Sequence, residues 1–180
     1  MFPYLEAYLK LPAAERTRFR MAYLFTREGQ PLTAAVWLLE GATRTPLPLR
    51  ADGRVERLPT LAQLDAAKVQ IDVPEGTKLG VILSIAPAMA PAVELDAREL
   101  AASVAQAAVG ARKAAGIMAM AMPRLQEVSF LGVASGEVEF GDGRRAALPL
   151  VKGAPTFNPA TLPGAKTLRF PKPPSRLDIG

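Results

Sequence analysis

Acid–base and nucleophilic chemistry in this 180-residue chain would have to rest on carboxylates, lysines and hydroxyls, because histidine and cysteine are both absent. Imidazole is the side chain whose ordinary pKa, about 6.5, lies where proton transfer is easiest near neutrality. Cysteine is the nucleophile least dependent on an adjacent base. Without them, Ser-His-Asp and Cys-His arrangements, zinc fingers, c-type haem attachment and internal disulfides are excluded. Paired carboxylates remain open, and Glu137 and Glu139 are two residues apart in a stretch that reads as a strand, so they share a face. Val138 and Phe140 then point to the core, and the acidic face reads as solvated in preference to a glycosidase-type dyad.

Other candidate motifs are incomplete. No Ser-x-x-Lys occurs, and Gly76-Thr77-Lys78 lacks the upstream glycine and following helix of a phosphate loop. Asp52-Gly53-Arg54 and Asp142-Gly143-Arg144 lack the further oxygen ligands of a calcium loop and read as hairpin turns. Neither a catalytic residue, a metal ligand nor a cofactor is expected. For binding, the alternating residues Met118, Met120 and Met122 offer a flexible, polarizable apolar surface, against the competing reading of core packing. Trp37, the sole tryptophan, is the other candidate contact, against the reading of a sheet anchor.

The formal net charge of +5 invites an anionic partner, but Lys and Arg are scattered in ones and twos. The densest basic stretch, residues 166–176, is interrupted by Pro171, Pro173 and Pro174, and a nucleic-acid partner is not expected. Residues 100–122 are long and apolar enough to raise the membrane question. Arg112 and Lys113 at their centre, each costing about 3 kcal/mol, argue against a transmembrane segment. The start Met1-Phe2-Pro3-Tyr4 has no charged region followed by an apolar run. The abundance of Pro, Gly and alternating strands favours an exported protein, periplasmic or secreted, over the cytoplasmic alternative.

The elements follow from periodicity. Residues 2–11 read as a short amphipathic helix. Residues 18–25 alternate, with Phe19, Met21, Tyr23 and Phe25 on a buried face. Strands follow at 32–39 and 43–50, a hairpin turn at Asp52-Gly53 with a return strand at 54–58, and one or two helical turns from Thr60. Residues 68–73 alternate, whereas residues 78–85 are more continuously apolar and read as the better candidate for a central strand covered on both faces. Residues 86–91, with Pro87 and Pro91, read as a linker. The clearest helix spans 94–115, with Asp96 as N-cap, Glu99 in the capping-box position and Gly116 as stop. Whether residues 117–122 continue it or form a strand is left open by their pattern. Strands then read at 128–133, 137–140, 144–150, 167–170 and 176–179.

Asp52-Gly53-Arg54 with Leu58-Pro59 recurs as Asp142-Gly143-Arg144 with Leu148-Pro149, which raises an internal duplication with halves 1–88 and 89–180, packed as one domain or two. The expected fold class is α+β, mainly antiparallel sheet with one long and one short covering helix. The expectation for function is a non-catalytic binding or structural module contacting a protein partner through sheet edges or a groove under the long helix. The alternative is a carrier of a hydrophobic small molecule or lipid in that groove, and a carboxylate-based hydrolase ranks below both.

Overall fold

In the computed structural model, which describes residues 1–116 and 124–180, the chain divides into two compact units. The first takes Met1–Lys10 with Met21–Ser84 and the second Leu11–Arg20 with Ile85–Gly180. The class is mixed α+β with antiparallel sheets, as the alternating strands and single long amphipathic helix imply.

In the first unit, α1 (Leu5–Lys10) is held down from its N-terminal side. The Phe2 ring meets Tyr23 edge-on at 5.1 Å and lies 5.7 Å from Phe25, and the Tyr23 hydroxyl donates to the Pro3 carbonyl at 2.6 Å. Burial pushes the Tyr23 phenol well above its ordinary pKa of 10, so the neutral, donating form persists far into alkali. Both tyrosine and phenylalanine come from β1 (Phe19–Arg27), whose residues Met21 to Phe25 are all buried. Ala22 and Leu24 are thus covered as well as the expected face.

A two-residue turn at Glu28-Gly29, both with positive φ (53° and 82°), returns the chain as β2 (Gln30–Pro31). That is the type I′ geometry whose twist matches paired strands. Further on, β3 (Val36–Glu40) lies between β4 (Thr43–Pro46) and β5 (Lys68–Ile71) in a three-stranded sheet. Thr60 caps α2 (Leu61–Ala66) through a reciprocal capping box with Gln63. The strand β6 (Leu79–Pro87) begins in this unit and passes into the second at Ile85.

The second unit is organised by α3 (Ala97–Ala115), which follows β7 (Glu94–Asp96) directly. Asp96 accepts from the Arg98 and Glu99 N–H groups, and Gly116 (φ 54°) ends the helix with its N–H on the Arg112 and Lys113 carbonyls. The inward stripe is Ala97, Leu100, Ser103, Val104, Ala107 and Gly110. The strands β8 (Val128–Leu131), β9 (Glu137–Phe140), β10 (Arg145–Ala147), β11 (Leu150–Val151), β12 (Ala154–Phe157), β13 (Ala165–Arg169) and β14 (Arg176–Ile179) form two antiparallel arrays. One runs β10-β9-β13-β7 with α3 packed on β13, and the other runs β11-β12-β8-β14.

Residues 11–20 strap α3 on the stripe Glu99, Gln106, Gly110, Lys113. The Gln106 amide accepts from the Arg18 N–H at 2.7 Å and donates to the Ala14 carbonyl at 3.0 Å. Lys113 pairs with Glu15 at 2.7 Å, and Arg18 pairs with Glu99. A Cβ at Gly110 would stand 2.6 Å from Phe19 Cζ, which explains a mid-helix glycine that propensity disfavours. Gly110→Ala gains about 1 kcal/mol of helix propensity and forces overpacking of about 1–3 kcal/mol. The expected outcome is a net loss near 1 kcal/mol in a denaturant titration followed by far-UV circular dichroism. A net gain would mean that Phe19 moves aside freely.

The two Asp-Gly turns are alike in hydrogen bonding but are not type I′. Gly53 N–H bonds to the Arg50 carbonyl and Arg50 N–H to the Arg54 carbonyl; Gly143, Phe140 and Arg144 repeat this pattern. Only the glycines have positive φ (79° and 83°), so each loop is a type I turn closed by a left-handed glycine. Their flanks differ, an isolated Leu49↔Val55 bridge around the first and a three-pair β9–β10 ladder around the second. The expected return strand at 54–58 is reduced to such bridges.

Candidate binding surface

Trp37 projects from the central strand β3 opposite Pro46 on β4 and Gln70 on β5. Its indole N–H donates to Asp72 Oδ2 at 2.8 Å, and the Arg44 guanidinium lies 4.0 Å from the ring centroid while also contacting Asp72 at 3.1 Å. Gln70 Nε2 donates to the other Asp72 oxygen at 3.0 Å. The Trp37 hydrogen bond, followed by Gln70 and Arg44, holds the Asp72 carboxyl below its usual 3.8, against a smaller opposing effect of burial. Trp37 also lines an open cleft of about 490 Å³ with Leu32, Val36, Pro46, Leu47 and Pro48. It therefore anchors the sheet through its edge and presents apolar surface to a cleft.

A depressed carboxyl pKa contributes stability that is full above the unfolded value, about 3.9, and is lost as pH falls through the lower folded value. Acid titration of Trp37 fluorescence is expected to show a transition below pH 3.8, and Asp72→Asn is expected to abolish it. An unchanged acid transition in the variant would show that Asp72 does not govern the tryptophan's environment.

The methionines Met118, Met120 and Met122 lie outside the described residues. Trp37 belongs to the first unit and α3 to the second, so tryptophan and long helix are parts of different units. The inward face of α3 is occupied by packing, with Leu100 and Ala107 fully buried. Glu137 is exposed, while Glu139 Oε2 lies 3.1 Å from Arg145 and 3.5 Å from Arg169, which in turn bonds Glu94 at 2.6 Å. Guanidinium groups thus hold Glu139 and Glu94, and Val138 and Phe140 face the core as their alternation implies. Among the described residues, no three His, Cys, Asp or Glu side chains are grouped to hold a metal ion, and no helix is long and apolar enough to cross a membrane.

The first part of β6 departs most from expectation. Its apolar run reads as a strand covered on both faces, yet Leu79 and Val81 are each 38% exposed and Ile82 is 54% exposed. Leu79 and Val81 share one face and Ile82 occupies the other, so apolar surface is open on both sides of the strand. Cover arrives only at Ala86 and Pro87, which are buried. The apolar run records what a strand is suited to bury, and this one is buried only at its end.

No protein-family model matches the chain, and no curated protein or solved structure is similar enough to be matched to it.

Proposed function

We propose that the chain is a non-catalytic, exported module that binds a protein partner through the apolar strand edge at residues 79–83. The observation that carries this reading is the exposure of Leu79, Val81 and Ile82 on both faces of one strand. Contiguous apolar surface of this kind is characteristic of interaction sites. The absence of imidazole and thiol, and the arginine pairing of Glu94 and Glu139, support a role in contact over one in turnover. A photo-crosslinking amino acid at position 82 is expected to join a protein in the native cell. The same group at the equally exposed Val109 on α3 serves as control. Equal labelling from the two positions would remove the assignment.

A second reading, a hydrophobic small ligand, is favoured by the cleft beside Trp37. Binding there would quench or shift the fluorescence of the sole tryptophan, whereas a spectrum unchanged across a panel of lipids and apolar dyes would dismiss it. Export predicts recovery of the native protein outside the cytoplasm on cell fractionation.

A further inference from the structure

In an extended chain alternate side chains fall on one face, so Arg44, Pro46, Pro48 and Arg50 share a face of the segment that runs from β4 toward the Asp52-Gly53 turn. All four are exposed, whereas Leu47 between them is buried and Leu49 half-buried. The Leu47 N–H bonds to the Val36 carbonyl and proline has no N–H, so residues 46–48 offer the cleft no free backbone donor. Trp37 stands opposite Pro46. An indole therefore lies at one end of an apolar track, and Arg50 lies four residues along it, roughly 13 Å in extended chain. The two arginines of this face differ. Arg44 is committed to Asp72 at 3.1 Å and to the Trp37 ring, and it does not line the cleft. Arg50 does, and among the described residues it is the only charged one that does so. Of the neighbouring acids, Asp52 faces Arg54 at 3.8 Å and Glu56 is not part of the cleft.

We propose that this cleft takes a linear aliphatic monocarboxylate, its chain along Trp37, Pro46 and Pro48 and its carboxylate on Arg50. The proposal rests on the second reading above, a hydrophobic ligand beside Trp37, and deepens it by naming the head group and where it sits. Charge and shape select the class. A neutral head gains no Coulombic attraction from Arg50, and an ammonium head meets a cation with no lining carboxylate to offset it. A compact acid does not reach both the indole and the guanidinium across the length of the track. The volume of about 490 Å³ falls within the range of small-molecule sites, about 300–1,000 Å³. The wall is also set before a ligand arrives. Pro46 and Pro48 have fixed φ angles, while Asp72 holds the indole by its N–H and Arg44 covers the ring.

Titration of the full chain with sodium decanoate at low ionic strength, followed by Trp37 fluorescence, tests this directly. Decanol and decyltrimethylammonium chloride serve as the neutral and cationic counterparts, all three below their micellar concentrations. Decanoate is expected to bind about fivefold more tightly than decanol, the upper value of an exposed ion pair, and the ammonium more weakly than either. Arg50→Gln, which leaves the backbone bonds of the turn in place, is expected to bring decanoate to the affinity of decanol with an unchanged circular dichroism spectrum. Arg50→Lys, keeping the charge, is expected to retain most of the preference. Decanol that matches decanoate on the wild-type chain overturns the carboxylate and leaves the hydrophobic cleft standing. A preference for decanoate that persists in Arg50→Gln overturns the assignment of the head group to Arg50. Fluorescence that none of the three probes changes overturns the proposal and the reading of the cleft together.

Discussion

Gly53→Ala is expected to destabilise the first unit by about 3 kcal/mol or more, and Gly143→Ala, in a turn with the same hydrogen bonds, to cost only about 1–2 kcal/mol. Both positions have φ near +80°, where an added Cβ is strained by about 1–2 kcal/mol. The difference lies in what the Cβ meets. At Gly143 nothing stands within 4 Å, whereas at Gly53 the Phe25 carbonyl oxygen would be 2.4 Å away and the Leu32 nitrogen 3.2 Å. Those two atoms bond to one another at 2.9 Å, and Phe25 N–H donates to the Gly53 carbonyl at 2.8 Å. The backbone at Gly53 therefore has no flexible side chain to displace, and overpacking adds about 1–3 kcal/mol. Trp37 fluorescence, whose only source lies in the first unit, measures the loss for Gly53→Ala during denaturant unfolding. Far-UV circular dichroism measures it for Gly143→Ala. Equal losses would mean that the Phe25 carbonyl yields to the intruding methyl.

Val81→Pro and Ile82→Pro are expected to act oppositely although the residues are neighbours. The Glu28 N–H donates to the Lys78 carbonyl at 3.0 Å, so even-numbered residues of β6 turn toward β1 and Val81 turns its N–H away. Proline at Val81 therefore removes no bond within the unit and is tolerated as edge prolines are. The fold persists and contact through the edge is abolished. Ile82 turns its N–H toward β1, and proline there removes a ladder hydrogen bond, worth roughly 1 kcal/mol net, and crowds the adjacent strand. The variant is expected to lose stability before partner contact can be judged. Thermal unfolding and crosslinking to the partner, measured on both variants, read the pattern together. Similar destabilisation by both would place a bond on the far side of Val81 that the alternation does not allow.

Much of the architecture is written in local signals. Asp96 marks the start of α3 because a carboxylate next to free N–H groups is favourable whatever the rest of the chain does, whereas the Glu99 carboxylate, in the capping-box position, pairs with Arg18. Gly116 marks its end for an equally local reason, a left-handed residue that bonds the last carbonyls. The strands β9 and β14 fall on residues 137–140 and 176–179 as their alternation indicates. The strand β12 was concealed by Pro155, which reads as a breaker but pairs with Leu150 of the short strand β11. Its neighbour Thr156 donates its N–H to Pro149.

What lay beyond local reading depends on distant partners. Nothing near residue 14 signals that its carbonyl meets Gln106, ninety-two residues away, or that residues 11–20 belong with α3. Asp72 gives no sign in sequence that it collects Trp37, Arg44 and Gln70, although the β3–β5 register, once known, brings these strands together. The candidate contact surface was legible by composition and concealed in state. Residues 78–85 show the apolar continuity of a covered strand, and only the spatial arrangement reveals that Leu79, Val81 and Ile82 remain open.

Hydrogen exchange at the Val81 and Leu83 amides, followed with and without the protein that crosslinks to position 82, tests the central claim most directly. If residues 79–83 form the contact surface for a protein partner, these two amides exchange rapidly in the isolated chain. They become protected together when the partner is added, while the Ile82 amide stays protected throughout by β1. Rates at Val81 and Leu83 that are fast and unchanged by the partner would contradict a contact here, and protection already complete in the isolated chain would show that the strand is closed within the chain.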